Sequence, residues 1–228
     1  MKKLLTGAAA LLLLMANKPA LHAQADFMTA DTIRQGGYTL VFINKDASFD
    51  KNVKQRMQDA FFTVYPRLAK TYNKRTLKTV TFMIDPAYDG VAATGNGVVR
   101  YNPEWLHKHP GDIDVVTHEV MHIVQAYPDS KGPGWLTEGI ADYVRYVFGV
   151  DNKGAGWALP AYAPSQTYEQ SYRVVARFLV WVENANRGAV KKLDATMRAG
   201  NYTPDIWQKT TGKTLDELWS SYGAHPEI

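Results

Sequence analysis

Residues 113–124 read IDVVTHEVMHIV, an apolar stretch that contains two histidines and a glutamate. Its apolar side chains recur at helical spacing, which predicts a buried helix. His118 and His122 lie four residues apart, so a helix places both imidazoles on one face, where they can bind the same cation. Glu119 is rotated by about 100° from His118, which leaves its carboxylate beside that cation and free to accept a proton from water. The alternative is two core histidines hydrogen-bonded to the backbone.

The carboxylates of the next predicted helix, residues 135–148, are candidates for a third metal ligand. Catalytic zinc usually has three protein ligands. The chain has no cysteine, and the only histidine after His122 is His225 near the C-terminus. Glu138 and Asp142 lie four residues apart and face the same way. We expect Glu138 to bind the metal and Asp142 to accept the outer N–H of a ligand histidine. There are two alternatives. Asp142 is the ligand, or Glu138 and Asp142 both lie on a solvated edge of the helix.

These residues, together with further stretches, resemble the plant basic secretory protein family and its bacterial relatives. The similar stretches are HEVMH at 118–122 with Gln125, EGIADYVR at 138–145, SYRVVARFL at 171–179 and GKTLDELW at 212–219. The similarity extends over roughly residues 37–223. It implies a zincin-like metallopeptidase fold, a secreted location and peptidase activity. It also implies one zinc ion per chain, held by His118, His122 and a downstream acidic residue.

Peptide hydrolysis needs a donor to the oxyanion beyond the metal, and tyrosine can supply one. Tyr168 and Tyr172 lie four residues apart at the start of the next predicted helix. We favour Tyr172 because it stands at the family-like position; Tyr168, or a purely structural tyrosine, is the alternative. In zincin-like folds an edge strand beside the cleft pairs with the substrate, and we assign that contact to Val98, Val99 and Arg100. We see no obvious carboxylate motif for gripping a free α-amine, which favours an endopeptidase.

Predicted strands precede predicted helices along the chain, which is typical of an α+β domain. The strands are expected at 38–43 and 77–84, with a hairpin over 90–102 that turns at Asn96-Gly97. The helices are expected at 50–73, from Asp112 to Tyr127, and at 135–148, 168–184, 189–199, 203–210 and 215–222. Pro66 should kink or split the first helix. We therefore expect a small N-terminal mixed sheet with an edge strand at the cleft, and a helical C-terminal half.

Residues 1–25 are predicted to be a secretory signal peptide. Lys2 and Lys3 precede an apolar run over 4–16, and Ala23-Gln24-Ala25 supplies a cleavage site, with cleavage after Ala23 as the alternative. The run is shorter than the ~20 residues that span a bilayer. We expect an exported protein, secreted or periplasmic, with one domain over 26–228 and no stable membrane anchor.

The net charge gives no reason to expect a nucleic-acid partner. The formal charge of +4 includes three lysines in the first 25 residues, and the remainder carries 23 basic and 22 acidic groups. We expect a peptide or protein substrate, and the sequence indicates no oligomeric state. The runner-up function is a non-catalytic secreted binding or defence protein that keeps the fold and a structural metal. Glu119 argues against it, because a structural site does not require that carboxylate.

Overall fold

The structure is a computed structural model that describes residues 28–128, 131–170 and 172–228. The predicted signal peptide lies outside these residues. The described strands are β1 (Thr29–Gln35), β2 (Tyr38–Asn44), β3 (Thr79–Ile84), β4 (Ala92–Gly95) and β5 (Val98–Tyr101). The described helices are α1 (Lys51–Thr71), α2 (Pro103–Lys108), α3 (Val115–Gln125), α4 (Gly134–Phe148), α5 (Tyr172–Ala185), α6 (Ala189–Arg198), α7 (Asp205–Thr211) and α8 (Leu215–Ala224).

The five described strands form one mixed sheet in the order β1-β2-β3-β5-β4. The pairs at the two edges are antiparallel, and β3 is parallel to both β2 and β5. The α+β class predicted from the sequence is therefore confirmed. One strand of the hairpin, β4, lies at the edge of the sheet, whereas β5 is paired on both sides.

The hairpin between β4 and β5 turns where the sequence predicted it. Asn96 and Gly97 both have positive φ, 51° and 75°. These values fit a two-residue turn whose twist matches the twist of the flanking strands, and asparagine followed by glycine adopts it at low cost. The turn fixes the register in which Thr94 of β4 lies opposite Val99 of β5.

The first long helix, α1, packs its apolar face against the sheet and α3. The ring of Phe61 lies 5.5 Å from that of Phe82 in β3, in an edge-to-face arrangement. The buried residues Met57, Val64 and Leu68 extend the same face along the helix. Pro66 does not split α1, since the helix continues to Thr71.

The motif helix α3 lies against α1, α4 and β4, so the centre of the protein is built around it. It begins at Val115, and Asp112 is not its cap. The Asp112 carboxylate instead accepts hydrogen bonds from the indole of Trp105, at 2.9 Å, and from the guanidinium of Arg145, at 2.5 Å. The helix ends at Gln125, because Ala126 adopts the left-handed conformation with φ 44°.

The next helices follow α3 closely in sequence and in space. Helix α4 ends before Gly149 as predicted, and it packs extensively on α5. Gly139 allows this approach, since a Cβ atom there would overlap Cγ1 of Val175. The described part of helix α5 begins at Tyr172, and residues 168–170, which were expected to be helical, form a turn. Within the described ranges, no helix combines the length and the apolar character that a membrane span requires.

Candidate metal and catalytic centre

Two helices bring together three side chains that could hold a metal ion. His118 and His122 lie one turn apart on α3, with their Nε2 atoms 3.2 Å from each other. Oε2 of Glu138, from α4, lies 3.2 Å from Nε2 of His118 and 3.4 Å from Nε2 of His122. The side chains that the sequence pattern selected therefore converge on one point.

The separations fit a zinc ion. Zinc binds histidine nitrogen and carboxylate oxygen at about 2.1 Å in tetrahedral geometry, which places neighbouring ligand atoms about 3.4 Å apart. The three distances between the ligand atoms of His118, His122 and Glu138 are 3.2, 3.2 and 3.4 Å. Three protein ligands leave the fourth tetrahedral position to water or substrate, as in catalytic zinc sites.

The outer nitrogen of each imidazole has a hydrogen-bond acceptor. Nδ1 of His118 lies 2.7 Å from Oδ1 of Asp142, one turn after Glu138 on α4. Nδ1 of His122 lies 2.7 Å from Oε1 of Gln125, whose amide nitrogen donates to the carbonyl oxygen of Thr137 at 2.8 Å. These bonds place a proton on Nδ1 of each ring and turn each Nε2 toward Glu138.

His118 and Glu138 each shift the pKa of the other. Burial alone would lower the pKa of His118, but hydrogen bonds to Asp142 and Glu138 raise it to about 10. Burial would raise the pKa of Glu138, but hydrogen bonds to the two histidines lower it to about 2. Without a metal, the site thus holds a cation on His118 between two carboxylates, and this electrostatic environment also favours a metal cation.

Glu119 is hydrogen-bonded to the edge strand. The residue is only 6% exposed and lines the same cleft as the two histidines. The hydroxyl of Thr94, in β4, lies 2.6 Å from Oε2 of Glu119 and 3.1 Å from its carbonyl oxygen. Thr94 could not be identified from the sequence, because its contact with Glu119 depends on how the sheet packs against α3.

The two candidate tyrosines lie in different places. Tyr172 lines the cleft, is 52% exposed and has its ring centre 6.0 Å from that of His118. The charge of Glu138 raises the pKa of its hydroxyl above the usual value. Tyr168 instead donates a hydrogen bond to Asp216 at 2.9 Å and packs against the indole of Trp135. The structure brings Tyr172 to the histidines and does not bring Tyr168 there.

The residues assigned to substrate contact do not lie on the edge strand of the sheet. Val98, Val99 and Arg100 belong to β5, whose backbone pairs with β3 on one side and β4 on the other. Val99 is fully buried, and the Arg100 guanidinium binds the carboxylate of Asp85 at 2.6 Å. The strand that lines the cleft is β4, through Ala92, Ala93 and Thr94. The cleft has a volume of about 700 Å³.

The fold is similar to that of solved metallopeptidases. An M1 zinc metallopeptidase mutant from Deinococcus radiodurans, bound to a Tyr-Ser-Ala substrate, superposes with a TM-score of 0.53 at 13% identity over 86% of this chain. Aminopeptidase A of Legionella pneumophila, in complex with aspartic acid, has a TM-score of 0.56 at 17% identity over 85% of this chain. The chain spans 51% of the length of the first protein and 27% of the second.

None of the curated proteins compared with this chain matches it. A family of peptidases found in plants and bacteria does match, and the matched region covers residues 41–222, from β2 to α8. This region includes the edge strand, the two histidines, Glu138 and Tyr172. The protein therefore belongs to the BSP family, the peptidases of plants and bacteria.

Proposed function

We propose that this protein is an exported zinc peptidase that hydrolyses internal peptide bonds, with His118, His122 and Glu138 as the zinc ligands. The observation that carries the proposal is the arrangement of the three ligand atoms, which lie 3.2 to 3.4 Å apart. When bound, zinc would polarise the scissile carbonyl and lower the pKa of water in the open position. The remaining chemistry belongs to side chains of the protein.

Glu119 is the proposed general base. Its carboxylate borders the cleft next to His118, and the Thr94 hydroxyl holds one of its oxygens. The other oxygen is then available to accept the proton of the attacking water and to deliver it to the leaving amine. A protein that used the metal only for structure would have no need of a carboxylate in this position.

Tyr172 is the proposed donor to the oxyanion of the tetrahedral intermediate. It stands in the first turn of α5 and lines the cleft, and its raised pKa keeps the hydroxyl protonated at neutral pH. Asp142 would orient His118 and keep its Nε2 directed to the metal.

Two features favour an extended substrate that is cleaved internally. The edge strand β4 offers its backbone along the cleft, and such an edge can pair with a peptide. The carboxylates among the described residues of the cleft are Glu119, Glu138 and Asp142, and each is engaged by a neighbouring side chain. In this proposal Glu138 binds the metal, Asp142 orients His118 and Glu119 is the base, so none of the three is assigned to a free α-amine.

The experiment is digestion of a peptide library by the zinc-loaded wild type and by the Glu119→Gln variant. We expect cleavage by the wild type and a loss of at least about a hundredfold in the variant, as for a missing general base. Glu104→Gln, an exposed glutamate of α2, is the control and should cleave like the wild type. One zinc per chain in all three proteins would show that the metal site is intact.

The outcomes separate the alternatives. Equal cleavage by wild type and Glu119→Gln would remove Glu119 from the mechanism. Cleavage of free peptides but not of N-acetylated ones would identify an aminopeptidase. Absence of Glu119-dependent cleavage, with unfolding when zinc is chelated, would favour the non-catalytic protein with a structural metal. Mass spectrometry of protein recovered outside the cytoplasm would show whether the chain is cut after Ala25 or Ala23.

A further inference from the structure

The free edge of β4 presents a defined set of backbone groups to the cleft. The amide of Asn102 donates to the carbonyl of Val91 at 3.1 Å, and Ala92 lies opposite Tyr101 in the antiparallel pair with β5. Because antiparallel pairs alternate between bonded and non-bonded positions, Ala92 and Thr94 direct their N–H and C=O groups away from β5. These four groups lie on the side where a substrate strand would be added.

One of the four groups is already occupied. The hydroxyl of Tyr88 donates a hydrogen bond to the carbonyl oxygen of Ala92 at 3.0 Å. Tyr88 therefore takes the acceptor that the N–H of a substrate residue would otherwise use. Within the described part of the chain, the N–H of Ala92 and both groups of Thr94 have no other hydrogen-bond partner, so they can pair with the substrate backbone.

The Tyr88 side chain is held in this position by its surroundings. Its hydroxyl passes over Gly90, where a Cβ atom would lie 2.5 Å from the hydroxyl oxygen. The guanidinium of Arg100 lies 5.1 Å from the centre of the ring. Two hydrogen bonds to Asp85, at 2.9 and 2.6 Å, fix that guanidinium in turn. The Tyr88 ring thus packs against the Arg100 guanidinium, and its hydroxyl is held by the hydrogen bond to the Ala92 carbonyl.

Resting on the proposed peptidase function, we infer that Tyr88 is a specificity-determining residue that replaces one hydrogen bond of the substrate backbone. The substrate residue next to Ala92 need not donate an N–H, because the Ala92 carbonyl is satisfied without it. That position should therefore accept proline, or any residue whose backbone nitrogen carries no hydrogen. The protein should therefore accept extended peptides that carry such a residue at one defined position.

The test measures peptide binding rather than turnover. The probe is a blocked, dye-labelled decapeptide, chosen from a library for the tightest binding to zinc-loaded Glu119→Gln protein. In a series of analogues, each backbone amide in turn is replaced by an ester, which removes one N–H without adding bulk. The dissociation constants are compared in the Glu119→Gln protein and in the same protein carrying Tyr88→Phe. Tyr146→Phe, at an exposed tyrosine of α4, is the matched control.

We expect one ester position that has no effect in the Glu119→Gln protein but weakens binding in the Tyr88→Phe protein. The parent peptide should bind about three- to tenfold tighter after Tyr88→Phe, because the Ala92 carbonyl can then accept from the substrate. The ester at that position, or proline there, should cancel the gain. The Tyr146→Phe protein should behave like the parent protein.

Identical ester profiles with and without the Tyr88 hydroxyl would overturn the inference, as would failure of every peptide to bind. Weaker binding of the parent peptide to Tyr88→Phe would also overturn it, since the hydroxyl would then be contacting the substrate directly. If the chosen peptide binds as expected but the wild type does not hydrolyse it, the peptidase proposal fails and the role of Tyr88 in binding stands.

Discussion

Thr94 in the edge strand and Glu119 in the motif helix are joined by a hydrogen bond of 2.6 Å between the Thr94 hydroxyl and Oε2 of Glu119. The hydroxyl has one proton, and the carboxylate is the stronger and nearer of its two acceptors. The bond fixes the rotation of the Glu119 side chain. It also ties the strand that would hold the substrate to the residue that would activate the water.

Replacing Thr94 by valine keeps the shape of the side chain and removes the donor. We expect kcat to fall about tenfold, the value of a hydrogen bond to a charged group, with KM and zinc content unchanged. Thr94→Ser should recover most of the activity because it restores the hydroxyl. Steady-state kinetics of the three proteins on one peptide provide the measurement. A rise in KM with kcat unaltered would instead place Thr94 in substrate binding alone.

The ligand role assigned to Glu138 and the orienting role assigned to Asp142 predict different losses of zinc affinity. Asp142→Asn keeps an acceptor oxygen for the His118 ring but removes its negative charge, and should weaken zinc binding about 10- to 100-fold. Glu138→Gln removes a ligand and should weaken it further. Competition with a chromophoric chelator gives both constants. If Asp142→Asn weakened zinc binding more than Glu138→Gln does, Asp142 would be the ligand, which is the alternative stated in the sequence analysis.

Zinc binding should release a proton from His118. With a pKa of about 10 in the metal-free site, this imidazole is protonated at neutral pH, and its Nε2 must lose the proton to bind zinc. The affinity should therefore rise about tenfold per pH unit between pH 7 and 8.5. Calorimetry in buffers of different ionisation enthalpy counts the protons released. A pH-independent affinity would show that His118 is neutral before zinc binds.

The contact between α4 and α5 predicts a stability difference between two glycines of the same helix. A methyl group at Gly139 overlaps Val175, so Gly139→Ala should lower the free energy of unfolding by about 1–3 kcal/mol. Gly134→Ala, where an added methyl group meets no described atom within 4 Å beyond the adjacent residues and its own helix backbone, should raise it by about 0.4–1 kcal/mol. Urea unfolding of the metal-free proteins gives both values. Equal effects would mean that α5 can move away without cost.

The parts of the site that local spacing determines could be predicted from the sequence. A helix puts residues i and i+4 on one face whatever surrounds it, so the pairing of His118 with His122 and of Glu138 with Asp142 followed from their numbers alone. The convergence of the two pairs was inferred from the need for a third ligand. It did not require knowledge of the loop between the helices.

The parts that depend on strand order could not be predicted in this way. A hairpin pattern identifies two strands but does not say which one lies at the edge of the sheet, and the substrate contact was assigned to Val98, Val99 and Arg100 of the inner strand. The small side chains Ala92 and Ala93 gave no signal of their position in the cleft. Strand β1 was missed because most of its side chains are exposed and lack apolar alternation.

The three proposed ligands lie on consecutive helices, so a metal would cross-link only about twenty residues of chain. Those helices already hold each other through buried side chains such as Val120, Ile140 and Val144. The metal site would then be preformed in the folded protein, and the bound ion could be exchanged without unfolding. Cobalt could be substituted for it in the folded protein, and the visible spectrum of cobalt would report the coordination number directly.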